Sequence, residues 1–298
     1  MGSAGSEYWL PENDQAKINS LRRVYHKYIC ENILCLDADG TPNLADKSSE
    51  VSSEISRRLI AKLLWSGNWC APISGQTAGS RFEDANRRFL GEAFRLIHHL
   101  RPGNWRFDIT GDISQFQQYK HLAELRVLLR TSPHLKAFLG SDYLITPDVI
   151  VARYPVEDNE INLHEHVVDE DRQVAAHTPL RSRNHVTPSL LLHASISVKW
   201  TLRSDRAQNI RTESLNLLRN RKGHTPRIAA ITAEPLPSRI ASIALGSSDI
   251  DCVYHFALPE LRSAVLETGS GDSIEIIETL IAGERLRDIS DLPFDLAI

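Results

Sequence analysis

A strand–helix–strand unit at residues 193–232 constrains the possible folds more than any other part of the chain. Residues 194–200 (ASISVKW) alternate apolar and polar side chains, which is the two-residue period of a half-buried strand, so Ser197 and Lys199 fall on one face. An amphipathic helix follows, and residues 227–232 (RIAAIT) have the composition of a buried strand. Two strands joined through a helix predict an α/β fold in which helices flank a mixed central sheet.

This unit and the residues before it hold charged side chains suited to phosphodiester hydrolysis. Ser204 or Asp205 is the expected N-cap of the helix, and Glu213 lies in its middle, fourteen residues after Lys199. Asp148 stands at the start of a second apolar run, VIV. Hydrolysis needs an activated water and neutralised phosphate charge, which carboxylates holding Mg²⁺ and a nearby lysine provide. The pattern therefore indicates a metal-dependent nuclease site.

Glu83 is a further candidate acid on a separate predicted helix. Residues 82–100 carry a long apolar stripe at helical spacing, which predicts a central helix. Ser80 followed three residues later by Glu83 matches a capping box, so the glutamate has a structural explanation as well as a functional one.

Charge is concentrated in one part of a chain whose net charge is −4. Residues 199–239 hold nine basic and three acidic side chains. A basic segment in an acidic protein suits one surface that binds an anionic partner selectively. The alternative is a solvated helix surface, which normally carries more mixed charges.

The rest of the chain restricts the organisation and the location of the protein. No run of about 18 apolar residues predicts a membrane span, and residues 1–14 read as a flexible leader rather than a signal peptide. Four scattered cysteines without CxxC spacing indicate neither zinc nor a disulfide framework, which favours a reducing cytoplasm. Residues 15–298 are expected to form one domain. Within it, the polar, histidine-containing segment 155–188 is expected to be an inserted arm at an oligomer interface, and not a metal site.

Several sequence blocks resemble one enzyme family. Pro147–Asp148 and the later Ser197–Lys199 resemble the PD-(D/E)xK nuclease motif, except that Ser197 occupies the usual acidic position. The string SVKWTLRSDRAQN resembles the CCGG-reading group of type II restriction endonucleases, where the second carboxylate lies on the following helix. Blocks that match in the same order, from about residue 20 to the end, are SGQTAG, LRPGNW, LGSDYLITPDVIV, TAEPLPSRIASIALG, IDCVYHFAL and LRDISDLPFDLA.

The resemblance implies a restriction-endonuclease-like α/β/α core and a set of active-site residues. It places Asp148, Ser197 and Lys199 in the active site, with Glu213 as the displaced second acid. It also implies Mg²⁺ as the cofactor. The implied metal ligands are Asp148, Glu213, Glu83 and the backbone carbonyl of Val198.

Three residues between the strand and the helix have the chemistry to read a CCGG core. An arginine can bond guanine O6 and N7, and a carboxylate can accept from cytosine N4. Arg203 and Arg206 supply two such donors and Asp205 supplies one acceptor, so two-fold use by a dimer reads C-C-G-G. The resemblance implies the same assignment.

The resemblance also implies contacts outside this core. It assigns the outer base pair to Arg239, with Asp46 and Ser48 less securely placed, and it assigns a minor-groove contact to Gln76.

The implied activity is a homotetrameric enzyme that cuts duplex DNA at GCCGGC after the first G. The products would carry 5′ four-base extensions and 5′-phosphates, and a DNA methyltransferase would protect host DNA. Two alternatives remain: the same nuclease with a relaxed purine–CCGG–pyrimidine site, or a CCGG-binding protein without catalysis.

Overall fold

One six-stranded mixed sheet organises the fold. The computed structural model describes residues 16–63, 67, 69–109, 112–132, 134, 137, 145–170, 173–184, 189–246 and 249–298, so the predicted leader lies outside them. Its strands are β1 (Trp105–Ile109), β2 (Val149–Arg153), β3 (Leu191–Lys199), β4 (Arg227–Thr232), β5 (Cys252–His255) and β6 (Leu286–Asp288). They stand in sequence order, with β1–β2–β3 antiparallel and β3–β4–β5–β6 parallel. The predicted mixed α/β class is confirmed.

Helices flank this sheet. Their bounds are α1 (Lys17–Asn32), α2 (Glu50–Lys62), α3 (Gly75–Leu96), α4 (His121–Thr131), α5 (Asp158–Ile161), α6 (Ser204–Asn220), α7 (Pro237–Ala244), α8 (Leu258–Thr268), α9 (Gly271–Ala282) and α10 (Leu292–Asp295). Within the described residues, no helix is both long and apolar enough to cross a membrane.

Strand β3 is buried on both faces, so the half-buried strand expected from its alternation is wrong. Ala194 and Ile196 belong to the larger apolar core, whereas Leu192 belongs to a smaller core on the other side. The pairing with β2 shifts by one residue near His193, and this bulge turns Leu192 to the opposite face. The other residues of β3 are buried, and only His193 and the terminal Lys199 are half-buried.

Helix α3 is central, as predicted, but it begins earlier than the capping box indicated. Its N-cap is Ser74, whose side chain accepts the Thr77 N–H at 3.1 Å. Ser80 and Glu83 therefore lie inside the helix, and the capping-box interpretation is wrong. Phe82 on the same helix packs edge-on against Trp200 at a centroid distance of 5.1 Å, which joins α3 to the end of β3.

A buried ion network connects α1 to the far edge of the sheet. Arg22 lies 2.6 Å from Glu260 and 2.8 Å from Asp288. The nearby His26 is buried and bonds the Phe256 carbonyl at 2.8 Å. Burial, with the Arg22 charge next, lowers the pKa of His26 to about 4.

Because of this shift, we expect His26→Gln to flatten the pH dependence of stability. A neutral histidine in the folded state gains a proton on unfolding between its folded pKa of about 4 and its ordinary value. The neutral His26 therefore stabilises the folded state at pH values above the ordinary histidine pKa, and this stabilisation is lost as the pH falls toward 4. The variant should lower the slope of unfolding free energy against pH by ~1.4 kcal/mol per pH unit in this window.

Urea unfolding at several pH values measures this slope. His166 is exposed on the 155–188 segment, so His166→Gln is the matched control and should leave the slope unchanged. Equal slopes for wild type and His26→Gln would contradict the prediction. Buried acids with a raised pKa change the slope in the opposite direction. Their contribution is the same in wild type and in His26→Gln, so it cancels in the difference between the two slopes.

Candidate active site

The ends of β2 and β3 bring an aspartate and a lysine into direct contact. Antiparallel pairing sets Val149 opposite Ile196, so Asp148, just before β2, lies beside the end of β3. Its Oδ2 accepts hydrogen bonds from the Lys199 ammonium at 2.6 Å and from the Val198 N–H at 2.7 Å. The strand pairing itself therefore builds the predicted acid–lysine pair.

Glu83 and Glu213 approach this pair from two different helices. Both are partly buried and both interact electrostatically with Asp148 and Lys199. Burial, followed by the charge of Asp148, raises the pKa of Glu83 to about 7, and Lys199 opposes that shift. Burial likewise raises the pKa of Glu213, Lys199 opposes the shift and Asp148 adds to it. The three acids share one lysine, so they form a region of excess negative charge.

Ser197 occupies the position where the nuclease motif normally has an acid, and it is buried within the sheet. It pairs in register with Ala230 of β4. Because Ser197 carries no charge, Glu213 on the following helix is the acid that faces Asp148 and Lys199 from this side. A metal contact by the Val198 carbonyl stays a prediction.

The chemistry of these donors fits a hard divalent cation. Three carboxylates supply oxygen ligands and more negative charge than Lys199 alone balances. Among the described residues, however, no three His, Cys, Asp or Glu side chains are grouped closely enough to hold a metal ion. The structure thus shows the acids as electrostatic neighbours and not as an assembled ligand set.

The predicted core-reading residues follow directly after this pair. Helix α6 begins at Ser204, and extended Arg203 is its N-cap residue, so the expected capping by Ser204 or Asp205 is wrong. Arg203 and Asp205 are exposed, whereas Arg206 donates to the Thr201 carbonyl at 3.1 Å. Asp205 instead lies in the first turn, where a carboxylate favours the positive end of the helix dipole.

Arg203, Arg239 and Asp46 line one cleft of about 590 Å³. Arg239 of α7 forms an ion pair with Asp46 across it. The Asp46 carboxylate also accepts the Ser48 hydroxyl at 2.7 Å and the Ser48 N–H at 3.0 Å. These Ser48 bonds, followed by Arg239, lower the pKa of Asp46 to about 2. Asp46, Ser48 and Arg239 were placed together from the resemblance, and the structure brings them into contact.

Gln76 does not join this cleft. It is exposed in the first turn of α3, in a separate cleft shared with Tyr28 and Arg81. Its predicted minor-groove role requires DNA to reach both clefts.

Glu234, which the sequence analysis did not single out, also belongs to the region. It is fully buried behind Arg239, with 3.8 Å between its Oε1 and the guanidinium. A glutamate within the otherwise apolar run after β4 is a signal for such a residue, because isolated carboxylates are rarely buried without partners.

The described parts of the 155–188 segment fold around a buried arginine. Arg181 is 2% exposed and binds the Asp158 carboxylate at 2.6 Å. The segment also exposes Leu163, Val167 and Val174, with 69%, 64% and 63% of their surfaces accessible. The described part of the predicted arm is thus an ordered structure that exposes three apolar side chains among charged ones. His185 and residues 171–172 lie outside the described residues.

The mixed sheet flanked by helices has the restriction-endonuclease-like architecture, and its acid–lysine pair is the chemistry expected of a nuclease on that fold. The model of the NgoMIV restriction enzyme family matches residues 25–298, and the chain belongs to this family of type II restriction endonucleases, which act on DNA. It is 47% identical over 283 residues to the type II restriction enzyme NgoMIV of Neisseria gonorrhoeae, covering 93% of this chain and 97% of that protein. Type II restriction enzymes generally use a divalent metal ion.

Proposed function

We propose that the enzyme hydrolyses duplex DNA at GCCGGC with Mg²⁺, cutting after the first G to leave 5′ four-base extensions with 5′-phosphates. The observation that carries this proposal is the position of the Asp148–Lys199 pair, one short turn before Arg203, Asp205 and Arg206. Cleavage chemistry and base reading are thereby fixed to the same strand end. The cut position follows the family resemblance.

Each acidic and basic side chain has a distinct role in this proposal. Asp148, Glu213 and Glu83 would hold Mg²⁺, which supplies charge neutralisation at the scissile phosphate and lowers the pKa of a bound water. Lys199 orients the attacking water and stabilises the charge that develops on the phosphate. The excess negative charge around Lys199 supports this assignment, because a cation relieves it.

Sequence specificity comes from the start of α6 and from the cleft beside it. Arg203 and Arg206 donate to guanines and Asp205 accepts from a cytosine, so a two-fold dimer reads the CCGG core. Arg239 reads the outer guanine and Asp46 its cytosine partner, with Ser48 holding Asp46 in place. A donor and an acceptor side by side match the two members of a G·C pair.

The same proposal includes the domain organisation, the oligomeric state and the cellular location of the enzyme. Residues 15–298 form one domain, supported by the single sheet, and the 155–188 arm contributes to contacts between dimers in a homotetramer. The exposed Leu163, Val167 and Val174 support that role. The tetramer binds two DNA sites in the cytoplasm, and a partner DNA methyltransferase protects host DNA.

Digestion of two supercoiled plasmids, with one and with two GCCGGC sites, tests the proposal. We expect Mg²⁺-dependent cutting only at GCCGGC and faster turnover on the two-site plasmid. Equal cleavage rates on both plasmids would contradict a tetramer that binds two DNA sites. Site-specific binding without cleavage would favour a CCGG-binding protein that has no catalytic activity.

A relaxed purine–CCGG–pyrimidine site is the second candidate, and Arg239 separates it from the first. Arg239→Ala removes a donor fork to the outer guanine, so discrimination between GCCGGC and ACCGGT should fall ~10- to 100-fold. Cleavage rates on oligonucleotide duplexes of both sequences measure this ratio.

Arg262→Ala is the control, because Arg262 is a surface arginine paired with Glu278 far from the cleft in sequence. It should leave the ratio unchanged. An Arg239→Ala ratio equal to wild type would remove the outer-pair assignment, and equal wild-type cutting of both duplexes would establish the relaxed site.

A further inference from the structure

Glu234 is a buried carboxylate whose two oxygens hold different backbone segments. It follows β4 and has no exposed surface. Its Oε2 accepts the Leu202 N–H at 2.7 Å, and its Oε1 accepts the Leu236 N–H at 3.2 Å. Its own N–H donates to the Thr232 hydroxyl at 3.1 Å, which fixes its place at the end of the strand.

The two segments are those that carry the proposed base-reading residues. Leu202 directly precedes Arg203, the N-cap residue of α6. Leu236 is the N-cap residue of α7, which carries Arg239, and the Arg239 guanidinium is 3.8 Å from the same Oε1. One side chain is therefore bonded to the start of the core-reading segment and to the start of the outer-pair segment.

A carboxylate suits this position because it accepts on both oxygens. Both partners are N–H groups, and a carboxamide in its place would accept from one and turn its own N–H₂ toward the other. Burial raises the pKa of Glu234 to about 7, whereas the Leu202 N–H, Arg239 and the Leu236 N–H act to lower it. Burying an acid is costly, and fold stability alone is served as well by apolar packing.

We propose that Glu234 is a positioning residue that sets the placement of the core-reading segment relative to Arg239. It touches no base itself. It holds Arg203 and Arg239 at a fixed separation, so that the core and the outer pair are recognised together. This inference rests on the proposed reading roles of Arg203 and Arg239.

The test replaces Glu234 by glutamine and measures discrimination separately at the core and at the outer pair. Binding and cleavage are compared for GCCGGC, for ACCGGT and for a duplex with one altered core pair. We expect both discriminations to fall ~10-fold, because one buried N–H loses its acceptor and the segments lose their common anchor. The cleavage rate of bound GCCGGC at saturating enzyme should stay close to wild type, so the loss appears in binding.

Asp288→Asn is the matched control for a purely structural effect. Asp288 is also buried and also accepts a backbone N–H, that of Leu258, but it lies in the Arg22 network on edge strand β6, two strands from β4. It should lower the melting temperature and leave both discriminations intact. If Asp288→Asn reduced discrimination as much as Glu234→Gln does, the loss would reflect general destabilisation and the proposal would fall.

A backbone variant gives an independent test should the glutamine protein fold poorly. Leu236→Pro removes the N–H that Oε1 accepts, at φ −86° and ψ 116°, which proline tolerates. It also replaces a half-buried side chain that packs against the larger core, so Leu236→Ala, which keeps the N–H, is its control. Leu236→Pro should reduce discrimination at the outer pair and spare the core. Equal loss at both pairs in Leu236→Pro, or unchanged discrimination in a folded Glu234→Gln, overturns the inference. If the wild-type enzyme does not prefer GCCGGC, the proposed function itself is wrong. If the wild-type enzyme prefers GCCGGC and Glu234→Gln discriminates equally well, only the positioning role of Glu234 is wrong.

Discussion

Lys199→Ala is expected to lower the rate of DNA cleavage by ~10³-fold while leaving site-specific binding largely intact. The Lys199 ammonium donates to Asp148 at 2.6 Å and balances part of the charge of Glu83 and Glu213. In the proposed mechanism, removing the ammonium takes away the group that orients the attacking water and a charge that stabilises the phosphate. Single-turnover cleavage of a GCCGGC duplex measures the chemical step, and a gel shift with Ca²⁺ in place of Mg²⁺ measures binding.

Lys222→Ala is the control for loss of a positive charge, because Lys222 is exposed beyond the end of α6. It should weaken DNA binding slightly and leave the chemical step unchanged. A Lys199→Ala protein that cuts bound DNA at the wild-type rate would show that another group activates the water.

The second large effect is expected for Arg203→Ala, which should weaken binding to GCCGGC by ~100-fold. Arg203 is exposed on the cleft wall where β3 ends and α6 begins. In the proposed two-fold dimer it would contact DNA twice. Losing a bidentate contact to guanine in each half-site removes both affinity and selectivity. Competition binding with specific and random duplexes measures the two separately.

Arg211→Ala provides a matched comparison within the same cleft. Its guanidinium donates to the Leu245 carbonyl at 2.9 Å, so it contributes charge without being poised as a base reader. We expect it to weaken binding to all sequences about equally. An Arg203→Ala protein that loses affinity for random and specific DNA alike would exclude a reading role for Arg203.

The sequence predicted the central unit of the fold because its period and composition are local properties. The β4 strand matches its predicted bounds of Arg227–Thr232. The short strands β5 and β6 were missed, because three or four residues show no clear period. Burial of β3 on both faces depends on a bulge, and alternation alone does not reveal it.

The site was predictable to the extent that it follows from motif spacing. Asp148 and Lys199 are associated through the resemblance to the PD-(D/E)xK motif, and the structure shows them in contact. The capping-box interpretation of Glu83 failed because the helix begins at Gly75, where Ser74 provides the cap. The position of Glu234 in an apolar run is a signal of burial, but its role is not predictable from sequence because its partners are backbone groups of Leu202 and Leu236.

Arg239 and Asp46 form an ion pair in the free protein. In the proposed reading of the outer pair, this ion pair competes with DNA for both side chains. When DNA binds, Arg239 and Asp46 give up their ion pair and bond the edges of the outer bases instead. A G·C pair replaces the lost interaction with new hydrogen bonds. An A·T pair offers neither the second guanine acceptor nor the cytosine amino group in the same arrangement. Rejection of near-cognate sites then arises partly from the protein's preference to remain self-paired, in addition to weaker contacts with the wrong bases.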